Sequence, residues 1–365
     1  METFQLEEYL SNGVERIIKG ILKASAGNPR ESLFMVQYAR DGRKGRELRR
    51  KREEEGVHIP PFLIASITNQ CNLSCKGCYA RENERKEGFL VKRMLTVKEW
   101  GNIFEEAQKL GVGFVLLAGG EPMTRREVLR EAGKHKGILF PVFTNGTLFD
   151  EEYAKLFGIH KNLIPIVSVE GGEGSTDDRR GRGIYRRVER TMELLQNSRI
   201  LFGASVTVTK ENLEEVTGEE FLRKLRTRGC KGVIYVEYVP VDGKSAFLAL
   251  EERDRQYMND RIQRLRSGQD EMLYISFPGD EKSSGGCLAA GRGFFHINAA
   301  GDAEPCPFSP FSDTSLLDMS LEDALHSPFF SKLQKTGLLT APHAGGCVLH
   351  QQEEKVENLL KGGAR

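Results

Sequence analysis

The first 58 residues place apolar side chains at helical spacing. Ile17, Ile18, Ile21 and Leu22 form one stripe, the chain breaks at Gly27-Asn28-Pro29, and a second helix is predicted from near Glu31, with Leu33, Phe34 and Val36 in its first turns. From Pro60 the period changes. Residues 62–68 form a short, nearly continuous apolar run, the pattern of a strand buried on both faces. Similar runs follow at 114–118, 138–144, 164–169, 201–208 and 233–239, separated by helical patterns that are clearest at 96–110, 185–195 and 219–227. Thr96, with Glu99 three residues on, makes a capping box for the first of these helices. Buried strands alternating with helices predict an α/β fold with a parallel sheet and right-handed crossovers. Six such units make either a partial (β/α)6, TIM-like barrel or an open doubly wound sheet, and both bind ligands at the C-terminal ends of the strands.

After Pro240 the rhythm is expected to stop. A charged helix over 251–266 and a strand over 272–277 precede a glycine-rich piece at 285–293, a small β-hairpin from 294–298 and 302–304, and helices near 321–335 and 352–361. The expected division is a helical segment 1–58, a barrel core 59–245 and a cysteine-containing extension 246–365.

Composition narrows the class. With 39% apolar and 29% charged residues, the 365-residue chain has the makings of a core, and a net charge of +1 gives no global field for nucleic acid. No run of 18 apolar residues and no signal-peptide core is present, so a cytoplasmic protein without a transmembrane segment is expected. Seven cysteines in such a chain are ligands or free thiols rather than a disulfide framework. The basic run 43–52 fits a solvated helix face; the alternative is peripheral contact with anionic lipid or an acidic substrate, from helices packed outside the barrel or closing it as a lid.

The chemistry concentrates in Cys71-Asn72-Leu73-Ser74-Cys75-Lys76-Gly77-Cys78-Tyr79, just after the first strand. Three thiolates at this spacing wrap one face of a small inorganic cluster. On a four-iron cubane they leave one iron open, whereas a structural zinc site is closed by four protein ligands. An open iron can take a chelating amine and carboxylate, such as the amino-acid end of S-adenosylmethionine. Polar or glycine-rich residues end the other strands: Gly119-Gly120-Glu121-Pro122, Thr144-Asn145-Gly146-Thr147, Ser168 with Glu170, Thr207 with Thr209, and residues 237–240. Glu121 suits the cofactor ammonium, with Gly119 and Gly120 admitting close backbone approach. Arg180 suits its carboxylate, Ser168, Thr207 and Asn212 the ribose or carboxylate, and Tyr79 the adenine. Glu170, Glu237 and Tyr238 point to the same end, and no residue stands out as a catalytic hydrogen or proton donor.

On these residues, and on Asp177-x-x-Arg180-Gly181 with Gly183 and the 207–212 segment, the chain resembles the radical S-adenosylmethionine superfamily across roughly residues 60–240. The resemblance implies a partial barrel, a [4Fe-4S] cluster on Cys71, Cys75 and Cys78, and S-adenosylmethionine cleaved to a 5′-deoxyadenosyl radical that abstracts a substrate hydrogen. It also implies Gly119, Gly120, Glu121, Pro122, Thr144, Asn145, Ser168, Glu170, Arg180, Thr207 and Asn212 around the cofactor. A one-electron reductant such as flavodoxin or ferredoxin would supply the electron.

The C-terminal part resembles the SPASM or shorter twitch extension. Cys287, Gly301 and Cys306 fit its opening, but of the dense cysteine tail only Cys347 is present, implying at most one auxiliary [4Fe-4S] cluster on Cys287, Cys306 and Cys347. His343 and His350 flank Cys347 as candidates for a fourth ligand, and with a histidine the set also suits zinc. Cys230 is expected to be an ordinary buried thiol. The expected activity is oxidation, cross-linking or another C–H modification of a peptide, small metabolite or, less favoured, a lipid. The alternative is a non-catalytic iron–sulfur relay or binding protein.

Overall fold

The computed structural model describes residues 6–24, 29–85, 93–268, 272–277, 284–341 and 346–362. Among these residues nine strands form one sheet: β1 (Phe62–Thr68), β2 (Phe114–Gly119), β3 (Phe140–Thr144), β4 (Leu163–Ser168), β5 (Gly203–Val208), β6 (Gly232–Glu237), β7 (Leu273–Phe277), β8 (His296–Ile297) and β9 (Ala303–Glu304). Their order is β7-β6-β5-β4-β3-β2-β1-β8-β9, and only β8 and β9 pair antiparallel. The six buried runs after Pro60 are thus consecutive parallel strands of a partial barrel. The strand–helix rhythm runs further than the pattern suggested: helix Glu252–Ser267 returns the chain to β7, which lies parallel to β6. Charge on that helix hides the unit, because only Met258, Ile262 and Leu265 are buried.

Alternate side chains sort by face. Leu63, Ala65 and Ile67 of β1 and Val206 and Val208 of β5 join Trp100, Phe104, Val188 and Leu222 in the core beneath the helices. Phe114, Ile164 and Ile166, near the starts of their strands, instead join Ile18, Met35 and Tyr38. Helices Leu6–Ala24 and Pro29–Glu54 therefore plug the N-terminal end of the barrel. Tyr38 Oη donates to Gly113 O at 2.6 Å, Arg49 Nη1 donates to Gly111 O at 2.6 Å, and Glu31 accepts from Leu201 N at 2.8 Å. All three contacts reach segments that lead into strands, so the helices are a floor and not a lid over the strand ends. Within the basic run, Arg46, Arg50, Lys51 and Arg52 pair with Glu15, Glu54, Glu47 and Glu55. Those pairs fit a solvated helix face and add little stability, whereas Arg49 of the same run is buried.

The extension packs on the barrel edge. β8 lies parallel to β1, pairing Ile64 with His296. Phe294 stacks on Phe62 at 5.1 Å and meets Phe277 of β7 at 5.7 Å, so one buried ring bridges the two edges of the open barrel. The helix expected near 321–335 is two, Leu321–Leu325 and Pro328–Lys335; Pro328 starts the second, and Ser327 caps it by accepting from Phe330 N at 3.1 Å. Among the described residues no helix is long and apolar enough to cross a membrane.

Candidate active site

The cysteine loop lies across the C-terminal ends of the strands, and the glycines of β2 fix where it starts. Gly120 N donates to Thr68 O and Glu121 N to Gln70 O, both at 2.8 Å. A Cβ on Gly120 would lie 2.1 Å from Gln70 O, and one on Gly119, at φ +116°, 2.2 Å from Thr68 O. These glycines thus allow the chain leading into Cys71 to pack directly on the end of β2. Further along, Lys76 N donates to Arg179 O at 2.9 Å, and Lys76 Nζ meets Asp178 at 2.5 Å. Asp177 accepts from Gly183 N at 2.6 Å and Tyr185 N at 2.8 Å, holding the next helix in place.

The 144–147 segment steadies the loop from the other side. Asn145 Nδ2 donates to Asn72 Oδ1 at 2.9 Å and reaches Cys71 Sγ at 4.0 Å, while Asn72 Nδ2 donates to Thr147 Oγ1 at 2.8 Å. Glu121, buried, caps the short helix Pro122–Thr124 by accepting from Met123 N at 3.0 Å. It also accepts from Thr144 Oγ1 and Asn145 N, each at 2.7 Å. Burial raises its carboxyl above the usual range, against those three donors. A carboxylate has about four lone-pair sites, so one remains for a further donor.

Arg180 does not stand free for a cofactor carboxylate. Glu170 Oε1 accepts from Arg180 Nε at 2.9 Å, Arg180 Nη2 at 2.5 Å and Arg179 Nη1 at 2.8 Å, while Oε2 accepts from Thr207 N at 2.8 Å. Burial alone would raise the Glu170 carboxyl, but Arg180 and Arg179 outweigh it and hold it low. Two guanidiniums against one carboxylate leave a surplus positive charge beside Cys75. Burial raises the Cys75 thiol, and both arginines oppose that rise. Burial raises Cys71 too, helped by Glu121 and opposed by Leu73 N–H.

Asn212 is engaged by the fold: Oδ1 accepts from Thr209 N at 2.8 Å, and Nδ2 donates to Glu170 O and Thr207 O at 3.0 Å. Ser168 and Thr207 are half-buried at the inner strand ends, and their hydroxyls make no hydrogen bond among the described residues. Tyr79 turns toward the extension, meeting Phe308 edge-on at 5.1 Å. Burial, then Cys78, Cys306 and Glu304, push its phenol up.

Cys287, Cys306 and Cys347 are all buried. Burial raises the Cys306 thiol, and Cys347, in hydrogen-bonding contact, and Cys287 add to it. The structure thus brings together the three thiols that sequence reading grouped. Glu237, at the end of β6, accepts from Gly346 N at 3.0 Å and pairs with Arg255 at 3.2 Å, holding the chain just before Cys347. His350 Nδ1 faces Glu353 at 3.8 Å, and His343 lies outside the described residues. Among the described residues no three His, Cys, Asp or Glu side chains converge as the ligands of one metal ion do. On a cubane each thiolate meets a different iron, so three thiolates need not converge on one point. Cys230 is buried, its thiol donating to Gly232 O at 3.2 Å, as expected for a packing residue.

The sequence reading missed Arg179 and the group Ser66, His296, Glu304 and Asn298. Residues 296, 298 and 304 share one hairpin face, a signal that becomes readable once the register of the hairpin is known.

Residues 65–234 match the family model described as Radical SAM superfamily. The chain is 27% identical over 280 residues to the AdoMet-dependent heme synthase of Methanosarcina barkeri, covering 70% of this chain and 78% of that protein. It is 25% identical over 304 residues to mycofactocin maturase MftC of Mycolicibacterium smegmatis, covering 77% and 74%. Its fold matches Streptococcus suis SuiB bound to S-adenosylmethionine with a TM-score of 0.65 at 17% identity, over 89% of this chain and 80% of that one. Residues 65–234 thus carry a domain of the radical S-adenosylmethionine superfamily. That domain supports an enzyme of S-adenosylmethionine-dependent radical chemistry, with a four-iron cluster and S-adenosylmethionine as the cofactors of the class.

Proposed function

We propose that this enzyme oxidises or otherwise modifies a C–H bond of a peptide or small metabolite. The carrying observation is a loop bearing Cys71, Cys75 and Cys78, two of them half-buried and one exposed, beside the surplus charge of Arg179 and Arg180. The donor set fits a cubane bound at three irons, because cation and cluster together offset the mutual repulsion of three thiolates. When bound, the cluster and S-adenosylmethionine supply a 5′-deoxyadenosyl radical that removes a hydrogen atom from substrate. Glu121 offers its remaining lone pair to the cofactor ammonium, and the free hydroxyls of Ser168 and Thr207 offer donors to its ribose or carboxylate. Glu170 holds Arg180 and Arg179 in place, so those cations act on Cys75 as a fixed field. Tyr79 shields the outer side of the loop toward the extension.

Cys287, Cys306 and Cys347 fit a second cluster. The Cys306 thiol, burdened by burial and by its neighbours Cys347 and Cys287, gives up its proton most readily to a bound cation. Two buried atoms at the Cys306 turn, Asn83 Oδ1 and Ser309 Oγ, have no partner among the described residues. The peptide option draws on the likeness to a maturase and to SuiB, solved with its precursor peptide SuiA. The small-metabolite option draws on the likeness to a heme synthase. A flavodoxin or ferredoxin is the proposed reductant. The test is 5′-deoxyadenosine formation by anaerobically reconstituted, dithionite-reduced protein given S-adenosylmethionine. Product above a Cys75→Ala control is expected; none, despite full iron loading, would favour the non-catalytic relay.

A further inference from the structure

The rim of the first cysteine loop carries exposed positive charge from three adjoining segments. Lys76 follows Cys75 directly. Arg182 lies in the turn after helix Glu173–Arg180, whose Arg179 O accepts from Lys76 N at 2.9 Å. Arg186, Arg187 and Arg190 lie in the first two turns of helix Ile184–Asn197. Arg187 Nη2 donates to Thr147 O at 2.8 Å, and Thr147 Oγ1 accepts from Asn72 of the loop, so helix start and cysteine loop meet at one residue. All five cationic residues are exposed.

Carboxylates answer only part of this charge. Asp178 pairs with Lys76, and Glu173 with Arg186 at 3.1 Å. Asp177 is turned to the backbone, accepting from Gly183 N and Tyr185 N. Arg182, Arg187 and Arg190 have no carboxylate partner among the described residues, so positive charge is in surplus here on a chain whose net charge is only +1. Fold stability does not account for the set. A helix start is the positive pole of its dipole and favours carboxylates. The neighbouring crossover helices obey that preference, opening on Glu99, on Glu151 with Glu152, and on Glu219 with Glu220. Helix Ile184–Asn197 has no acid in its first turn and holds Arg186 and Arg187 there instead. The basic run of the floor helix differs on both counts: its cations pair with their own glutamates, and it lies at the opposite end of the barrel.

We propose that this rim is the docking surface of the electron donor, an acidic, low-potential ferredoxin. The assignment rests on the radical reading above and deepens it by naming where the electron enters. Complementary charge draws an acidic carrier to the surplus and orients it there. Position makes the encounter productive, because Lys76 adjoins Cys75, whereas Cys287, Cys306 and Cys347 are sealed in the extension. Ferredoxins reach the low end of the iron–sulfur range, which a donor for sulfonium cleavage needs. The docked ferredoxin gives up one electron to the centre held by Cys71, Cys75 and Cys78. It is oxidised by that one electron, and no proton moves and no bond breaks in the transfer.

Calorimetric titration of the full, iron-loaded chain with a bacterial two-cluster ferredoxin tests the surface directly. Arg182→Glu combined with Arg186→Glu should weaken binding about tenfold or more, since like charges then face each other across the contact. The pair Arg182→Gln and Arg186→Gln should weaken it less. Added salt should weaken the unsubstituted complex and affect the reversed variant less. A control reversing Arg50 and Lys51 on the floor helix should bind as the unsubstituted chain does. The ratio of ferredoxin-driven to dithionite-driven 5′-deoxyadenosine formation should fall with the affinity, and iron assays and denaturant melts check that each variant is folded and loaded. Equal affinity in the reversed variant, binding indifferent to salt, or an equal loss in the floor control overturns the proposal. Tighter, salt-sensitive binding of a flavodoxin at the same residues overturns the choice of carrier. None of these results touches the radical reading, which dithionite-driven 5′-deoxyadenosine tests without any carrier.

Discussion

The two cysteine groups of this chain meet solvent and charge in opposite ways. Cys71, Cys75 and Cys78 sit on an open loop, pinned at Thr68 and Gln70 by the end of β2 and at Lys76 by Arg179, with two arginines beside them. Cys287, Cys306 and Cys347 are sealed inside the extension, where burial and their own proximity dominate. The first arrangement suits a centre that exchanges a ligand at the barrel mouth. The second suits a centre that exchanges electrons and nothing else. Helix Tyr79–Arg85 links the two, since Tyr79 meets Phe308 and Asn83 Nδ2 donates to Pro307 O at 2.9 Å beside Cys306.

Four substitutions probe that contrast, in falling order of effect. Cys75→Ala should cut 5′-deoxyadenosine formation by more than about a hundredfold, since even changes behind a metal ligand cost 10–100-fold; a modest loss, read by chromatography of the quenched reaction, would mean the open loop is not the reactive centre. Glu170→Gln should lower stability by about 3–5 kcal/mol, because it strands Arg179 and Arg180 in a buried site. The sign of its pH dependence follows from the lowered carboxyl. The wild-type advantage is full above about pH 4.3, the ordinary glutamate value, and closes as pH falls through the lower native value. Denaturant melts of both proteins across that range measure it, and a gap that widens in acid would contradict the ion-pair account.

Cys306→Ser should drop iron from about eight to about four atoms per chain, one cubane's worth, while 5′-deoxyadenosine formation remains. Iron and sulfide assays decide this, and unchanged iron would place the second centre elsewhere. Thr96→Ala, at a helix cap whose side chain bonds Glu99 within the capping box, should cost only about 1 kcal/mol and leave iron content alone. Iron loss there would show that both sites depend on global stability rather than on their own loops.

Much of the barrel was readable in advance. β1, with apolar residues on both faces, could only be a strand in a covered parallel sheet, and the capping box at Thr96 marked its helix correctly. Helix Glu252–Ser267 and β7 were not readable as a barrel unit, because three buried residues in sixteen give too weak an apolar stripe. The strand-end motifs were legible as a set but not in their wiring. Glu121, Arg180 and Asn212 carry the residue types a cofactor needs, yet each is tied to its own chain by partners distant in sequence.

Residue spacing by itself determined the three-cysteine loop after β1 and the strand–helix repeat, because these depend on local periodicity and on what a short loop can reach; the grouping of three late cysteines came from the resemblance of the extension. Tertiary structure alone decided that the N-terminal helices are a floor, that Glu170 owns Arg180, and that Ser66, His296 and Glu304 form one chain of hydrogen bonds. Those relations join residues from 8 to 230 positions apart. Strand register and the packing of helices on the sheet together bring such residues within hydrogen-bonding distance.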